Sequence, residues 1–426
     1  MKKRIKEQSI IFYSVVKWVF LSFAIGCMVG ASTVVFLKAL NWSSGITASH
    51  RYHFLLLPLA LFFSALMVKF LAPDAEGHGT EKVIEAVHKN DGIINAAVVP
   101  VKLVATIITI AFGGSAGKEG PCAQIGAGIA STFARLFWFD AHDRKKLVIC
   151  GISSGFASVF GTPIAGAIFG VEVLFVGTIL YDVLLPSFIA GIISYNVSSA
   201  LGIHYFHHTL ATPLNFSAVF FYQILLAGIF FGLCSFFLIE VLNLGKKVSE
   251  RIKIWEPLKG FVGGSVLIIF VLLSSTDYLG LGLNTIESSL SGQSLPWYTF
   301  IFKSFTTSMT LNFGGSGGIV TPIFFVGSSA GNIFAQVLNL DINLFSALGF
   351  VGLLAGAANT PIAASIMAIE LFGSQIAPCA AMACVISFLM TGHRSVYPSQ
   401  ILAFKKSKLI DIELGKEINS SKPKFY

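Results

Sequence analysis

Long apolar stretches separated by short polar connections run along most of this chain. Two mostly apolar runs, 10–40 and 219–242, are long enough to cross a bilayer, which takes about 20 residues. Three stretches lack Asp, Glu, Lys and Arg altogether: 183–239, 304–340 and 371–393. Other stretches stay apolar but are broken by Gly and Pro: 113–121, 151–163, 314–322 and 352–361. Irregular backbone at membrane depth persists only where protein buries it or where it lines a watery cavity. The pattern therefore predicts an all-α polytopic membrane protein with interrupted helices.

The breaks occur in matched pairs. Segment 112–121 (Phe-Gly-Gly-Ser-Ala-Gly-Lys-Glu-Gly-Pro) matches segment 313–322 (Phe-Gly-Gly-Ser-Gly-Gly-Ile-Val-Thr-Pro) at a separation of 201 positions. Thr-Pro-Ile-Ala also occurs twice, and a glutamate, Glu172 or Glu370, follows ten residues after each Thr. Paired interruptions in two halves of a chain indicate the binding site of a transporter.

Two matched blocks in the same order divide the chain into halves. We expect one transmembrane domain over 1–400, with repeats at about 1–205 and 215–400, followed by a short cytoplasmic tail at 401–426. Parallel and inverted repeats both fit this pattern.

Composition and charge support the membrane assignment. The chain is 54% hydrophobic and 12% charged, about half the charge of a soluble domain, and its mean hydropathy is +0.78. The net charge of +8 sits mainly at the ends and in connections such as 246–259. Basic connections stay cytoplasmic, so both termini are predicted inside a multi-pass protein of the cell membrane. Topology explains this charge better than nucleic-acid binding, and we expect membrane lipids rather than nucleic acid as surroundings.

No metal or cofactor site is expected. The six cysteines lie in apolar stretches without a C-x-x-C pair, which is typical of small core residues. The histidines at 204, 207 and 208 do not make a full zinc ligand set.

Segment 117–121, Gly-Lys-Glu-Gly-Pro, carries the most specific chemistry. Its glycines expose backbone N–H groups, and Pro121 suits the first turn of a following helix. A helix start binds anions through free N–H groups and the helix dipole. Glu119 can occupy such a site as a tethered competitor and leave it when protonated, which makes it a gate and a proton acceptor. The alternative is a glutamate that only complements the dipole.

Further candidates each have a plainer alternative. The Gly318-Ile319-Val320 segment repeats the break without a carboxylate and is either an anion-binding helix start or a packing kink. The segment Gly77-His78-Gly79 precedes a helical pattern, and His78 is either an anion donor or a solvent-facing histidine. Tyr397 is either a neutral donor to an anion or an interfacial tyrosine. Charges inside apolar runs are costly: Lys102, Glu172 and Glu370. The duplication of the two glutamates favours a structural role for them.

These segments together resemble the CLC family of chloride channels and chloride/proton antiporters, over about residues 10–400. The family signatures G-S-G-I-P, G-K/R-E-G-P and G-x-F-x-P, followed by a late tyrosine, correspond in order to 77–81, 117–121, 318–322 and Tyr397. The resemblance implies two inverted-topology repeats whose broken helices meet at a mid-membrane anion site, and a homodimer. It also implies that Glu119 is the gating glutamate. The implied anion-binding residues are Gly77, His78, Gly79, Gly117, Lys118, Gly120, Gly318, Ile319, Val320 and Tyr397.

Three departures from the family pattern bear on function. His78 replaces a serine, Val320 replaces a phenylalanine, and Val173 stands where proton exchangers carry an inner glutamate. That glutamate is also missing from channels and from some atypical exchangers, the family's fluoride exporters among them. We therefore expect passage of chloride or a similar small monovalent anion, by a channel or a weakly proton-coupled route. A tightly coupled chloride/proton or fluoride/proton antiporter is the alternative.

An intramembrane enzyme is the hypothesis from a different class. The sequence contains no H-E-x-x-H motif and no G-x-S-x-G motif supported by a second catalytic group. We therefore expect that the protein is not an enzyme.

Overall fold

The computed structural model describes residues 2–209, 217–421 and 424–425. The described residues form sixteen α-helices: α1 (Lys2–Ala48), α2 (Leu57–Leu71), α3 (Thr80–Lys89), α4 (Val98–Ala111), α5 (Glu119–Leu136), α6 (Ala141–Phe160), α7 (Pro163–Glu172), α8 (Tyr181–Ala200), α9 (Ala218–Arg251), α10 (Glu256–Leu273), α11 (Leu283–Leu290), α12 (Thr299–Asn312), α13 (Val320–Leu338), α14 (Ile342–Ala358), α15 (Pro361–Phe372) and α16 (Ala377–Met390). Four short strands accompany them: β1 (Phe175–Val176), β2 (Ile401–Leu402), β3 (Ile410–Asp411) and β4 (Lys424–Phe425).

Six helical segments are long and apolar enough to cross a bilayer: Lys3–Ala48, His53–Leu71, Tyr181–Ala200, Ala218–Arg251, Glu256–Leu273 and Val320–Leu338. Shorter apolar helices lie between them, as the interrupted runs predicted. The all-α polytopic fold predicted from the sequence is confirmed.

The centre of the molecule is built from corresponding helix pairs of the two halves. Helix α5 packs against α6 in the first half, and α13 packs against α14 in the second. Gly126 lies against the Gly151 backbone, and Gly327 lies against the Gly349 backbone, so that a Cβ on any of the four would collide with a carbonyl oxygen. Small residues allow such close helix contacts in membranes. This packing buries the helices that begin at the candidate site.

The two halves complete each other by reciprocal hydrogen bonds. Gly117 and Gly318 exchange N–H···O bonds of 2.7 Å in both directions. The Ser115 N–H donates to the Thr310 hydroxyl, and the Ser316 N–H donates to the Thr109 hydroxyl, each at 3.0 Å. An antiparallel exchange of equivalent atoms implies a local two-fold relation between the repeats, as expected for inverted-topology transporters.

The duplicated glutamates also form reciprocal hydrogen bonds between the two halves. Glu172 ends α7 and accepts hydrogen bonds from the N–H groups of Ile362 and Ala363, at 3.0 and 2.8 Å. Glu370 in α15 accepts hydrogen bonds from the corresponding N–H groups at the start of α7, at 2.9 and 2.8 Å. The first N–H groups of a helix have no intrahelical acceptor. Each glutamate therefore caps the partner helix, which explains the structural role favoured by their duplication.

The chain after the last helix folds back onto the first half. Strand β2 pairs in parallel with β1, and the Leu402 N–H donates to the Lys416 carbonyl oxygen at 2.9 Å. An ion pair of 2.9 Å joins Glu417 to Lys89 at the end of α3. The end of the molecule that contains these contacts is called the tail side below.

All six cysteines are free, and five are buried.

Candidate anion site

Three helix starts predicted from the sequence meet in the interior. Helix α3 begins after Gly79, α5 begins at Glu119 and α13 begins after Ile319. A Cβ on Gly120 would collide with the His78 carbonyl oxygen, and one on Gly79 would collide with the Gly120 carbonyl oxygen. Gly79 also has a φ of +83°, which favours glycine. Backbone contact this close is possible because glycines occupy these positions.

Glu119 is seated on the start of α13. Its side chain is fully buried, and Oε2 accepts a hydrogen bond of 3.1 Å from the Thr321 N–H. The Thr321 hydroxyl donates to Oε1 of the same carboxylate. The start of a helix carries a partial positive charge and free N–H groups. Glu119 thus occupies a position that would suit a small anion.

Thr321 is a site residue that sequence reasoning missed. It corresponds to Gly120 at the 201-residue separation, directly before the matched proline. Comparing the two repeats position by position would have shown a hydroxyl side chain in one half where the other has glycine. The sequence could not show that this hydroxyl meets Glu119, because only the fold brings the two residues together.

Tyr397 lies beside the same helix starts. Its side chain is fully buried, and among the described residues its hydroxyl makes no well-formed hydrogen bond. Thr80 lies beside it, and the Glu119 carboxyl is close enough to act on it electrostatically. A buried hydroxyl without a partner carries a desolvation cost. The hydroxyl is therefore available to an anion, and its burial excludes an interfacial position for Tyr397.

His78 occupies the loop before α3. Its Nδ1 is buried and has no hydrogen-bond partner among the described residues, while the residue as a whole is partly exposed. The Lys102 ammonium group fixes the loop, donating to the carbonyl oxygens of Ala75 and Gly77 at 3.0 and 2.6 Å. The lysine is therefore satisfied by backbone carbonyls at the edge of the site.

Lys102 has a counterpart that sequence reasoning missed. Lys303, 201 positions later, donates to the carbonyl oxygens of Tyr278 and Gly280 at 3.2 and 2.8 Å. Gly280 and Gly282 both have positive φ, like Gly77 and Gly79. A third matched pair of segments, 77–79 and 280–282, was thus present in the sequence and could have been found from its Gly-x-Gly pattern.

The remaining predicted residues border the site. Ile319 and Val320 are buried at the start of α13, and Lys118 is partly exposed and acts electrostatically on Glu119. Val173 is fully buried in the apolar core, and its carbonyl oxygen accepts a hydrogen bond of 2.8 Å from Gln400. The side chain of Val173 cannot carry a proton.

The fold and the site define a membrane transport protein with broken helices and a carboxylate seated where an anion would bind. A sequence profile described as voltage gated chloride channel matches residues 60–392. The chain belongs to this family, the CLC channels and transporters. It is therefore a multi-pass membrane protein for anion transport and not an enzyme.

Relatives and solved structures are similar over most of the chain. The chloride/fluoride channel protein of Pseudomonas syringae pv. tomato is 34% identical over 414 residues, covering 95% of this chain and 91% of the relative. The voltage-gated ClC-type chloride channel ClcB of Escherichia coli is 28% identical over 339 residues, covering 75% and 79%. The crystal structure of a CLC-type fluoride/proton antiporter superposes with a TM-score of 0.87 at 30% identity, covering 92% of this chain and 99% of the other.

Proposed function

We propose that the protein exchanges a small monovalent anion, fluoride foremost, for protons, and that Glu119 is both the gate and the outer proton acceptor. The observation that carries this proposal is the Glu119 carboxylate seated on the start of α13 and held by Thr321. A carboxylate and a free anion compete for one helix start. Protonation removes the carboxylate's charge and with it the competition, so that proton and anion movements become linked.

The choice of fluoride rests on similarity and on the chemistry of the site. A relative named as a chloride/fluoride channel and a solved fluoride/proton antiporter are both at least 30% identical to this chain. Fluoride is small and strongly hydrated, so it needs strong donors in place of water. Thr321 and Tyr397 offer hydroxyl donors near the helix starts, and Val320 replaces a bulkier aromatic residue.

A second candidate function is channel-like passage of chloride. Val173 favours it, because an exchanger needs a proton acceptor on each side of its barrier and valine supplies none. The two functions differ in one measurable quantity, the number of protons moved for each anion.

We further propose that the anion contacts backbone and side chains at 77–79, 117–120 and 318–320, with Tyr397 as a hydroxyl donor. The protein would act as a homodimer with one pathway in each subunit. The transmembrane domain would span 1–400, and the tail at 401–426 would be cytoplasmic.

Reconstituted liposomes test the exchange directly. An outward fluoride or chloride gradient is imposed, and anion efflux and proton uptake are recorded together with ion-selective and pH electrodes. The wild-type protein should release fluoride faster than chloride and take up protons in a constant ratio to the anion. Anion efflux without proton uptake would support the channel instead.

Glu119→Gln tests the gate. The neutral amide cannot compete as a carboxylate does, so anion efflux should continue while proton uptake and pH dependence disappear. The matched control is Glu287→Gln, a change of the same chemistry at an exposed position, which should behave as the wild type does. A Glu119→Gln protein that stops all anion efflux, or that keeps its pH response, would contradict the gate assignment.

A further inference from the structure

A second carboxyl group, that of Glu81, lies close enough to Tyr397 to act on it electrostatically, as Glu119 does. Glu81 is in the first turn of α3, next to Thr80. Its Oε1 accepts hydrogen bonds from the Ser399 N–H at 3.0 Å and the Ser399 hydroxyl at 2.6 Å. Its Oε2 is buried and has no hydrogen-bond partner among the described residues. One oxygen is therefore fixed, and the other is free to bind a proton.

Glu81 forms no ion pair in the described part of the chain, although charged residues lie near it. Glu85, one turn further along α3, pairs with Lys82 and Lys89. Lys246 in α9 acts on Glu81 only electrostatically. Three other titratable groups belong to elements that pack against α3. They are Glu119 in α5, Lys145 in α6 near His88, and Glu417 in the tail near Lys89.

Glu81 lies at the tail side of the site. Its partner Ser399 belongs to the segment that leads from Tyr397 into the tail, where the Asn419 N–H donates to the Pro398 carbonyl oxygen at 3.2 Å. Lys89, at the other end of the same short helix, is tied to Glu417. Glu81 is partly exposed, and it joins α3 to the segment that leads from Tyr397 into the tail.

We propose that Glu81 is the tail-side proton acceptor, replacing the carboxyl group that is absent at Val173. The inference rests on the proposed exchange function. A proton from tail-side water binds Oε2 while Oε1 keeps its bonds to Ser399, and the proton then passes by Tyr397 towards Glu119. Return of Glu81 to the carboxylate form completes the cycle without a change in any covalent bond other than that of the transferred proton.

The acid–base behaviour of Glu81 suits this role. Helix α3 is outside the apolar helices that could cross the membrane. Burial raises the pKa of Glu81 to about 7, the Ser399 hydrogen bonds oppose this shift, and the Glu85 charge adds to it. Glu81 is then largely protonated below about pH 7 and largely a carboxylate above it, so both forms are available near neutrality.

Glu81→Gln in reconstituted liposomes tests the proposal. The variant should keep its anion efflux but take up protons at least about tenfold more slowly than the wild type, since a positioned proton carrier is lost. Glu85→Gln is the matched control, because it removes the same charge from a residue that lies one turn away from Glu81 and is already ion-paired. It should keep both anion efflux and proton uptake.

Ser399→Ala provides a second measurement, one that would not change if Glu81 had a purely structural role. The carboxyl group stays, but Oε1 loses a hydroxyl donor that stabilises the charged form. The pKa of Glu81, and with it the midpoint of proton uptake against tail-side pH, should therefore shift upward relative to the wild type.

The possible outcomes separate the two proposals. A wild-type protein without proton uptake would overturn the exchange function and the Glu81 role with it. A wild-type protein that exchanges protons, with a Glu81→Gln variant of unchanged ratio, would overturn the Glu81 role alone. If Glu81→Gln does not fold, the Ser399→Ala profile decides, and an unshifted midpoint overturns the role.

Discussion

Gly120 shows how much of the site depends on a single missing side chain. It lies where the start of α5 meets the loop before α3 and the backbone of Gly318. A Cβ at this position would collide with a carbonyl oxygen, and backbone cannot rotate away as a flexible side chain can. The convergence of the three helix starts therefore requires glycine here.

We predict that Gly120→Ala lowers the free energy of unfolding by about 1–3 kcal/mol, the usual cost of overpacking, and sharply reduces anion efflux. Thermal unfolding in detergent and liposome efflux measure the two effects. Gly45→Ala is the control, because no described atom lies within 4 Å of the position of its Cβ in α1. Equal stability and efflux in the two variants would contradict the packing argument.

Individual site residues differed in how far the sequence could predict them. The position of Glu119 at a helix start could be predicted because its whole signature is contiguous, from Gly117 to Pro121. The contacts of Thr321 and Glu81 could not be predicted, because their partners, Glu119 and Ser399, lie 202 and 318 residues away. Only the fold reveals such contacts.

At the scale of elements, each half of the chain supplies hydrogen-bonding groups to the other half. The positions of the breaks were predictable, because a glycine-rich block that occurs twice is visible in the sequence. The direction of the second repeat was not, because inverted and parallel arrangements leave the same sequence pattern. The reciprocal caps of α7 and α15 show a local two-fold relation between the halves, since each helix start is satisfied by a carboxylate from the opposite half.

Removing either cap should destabilise the protein. In Glu172→Gln or Glu370→Gln the amide has one acceptor oxygen for two N–H donors, so one buried donor loses its partner at a cost of about 1–3 kcal/mol. The effect should be larger at Glu172, which is 5% exposed, than at the partly exposed Glu370.

Thermal unfolding followed by a thiol-reactive dye suits this comparison, because five of the six cysteines are buried until the protein unfolds. Both variants should have lower midpoints, and the exposed control Glu287→Gln should match the wild type. Unchanged midpoints in both cap variants would show that the carboxylates do not hold the halves together.

At the scale of the whole molecule, the basic segments gather at one end. The connecting ion pairs are Lys17–Asp143, Lys145–Asp91, Lys89–Glu417 and Lys69–Glu256. The first three link Lys17 in α1, the start of α6, the end of α3 and the tail, while Lys69–Glu256 separately joins the end of α2 to the start of α10. Exposed ion pairs contribute little stability, but the first three locate the positive charge of α1, α3 and α6 at the tail side.

The tail side should therefore face the cytoplasm, because basic segments are retained there. Between Lys17, on the tail side, and the end of α1 at Ala48 the helix rises about 46 Å, more than the roughly 30 Å of a bilayer core. Arg51 follows α1 and should lie outside. In intact cells a membrane-impermeant maleimide should label Arg51→Cys but should label Lys408→Cys only after permeabilisation. Both positions are exposed, and the wild-type chain measures background from native cysteines. The reverse labelling pattern would invert the topology and place Glu81 on the outer side of the anion site.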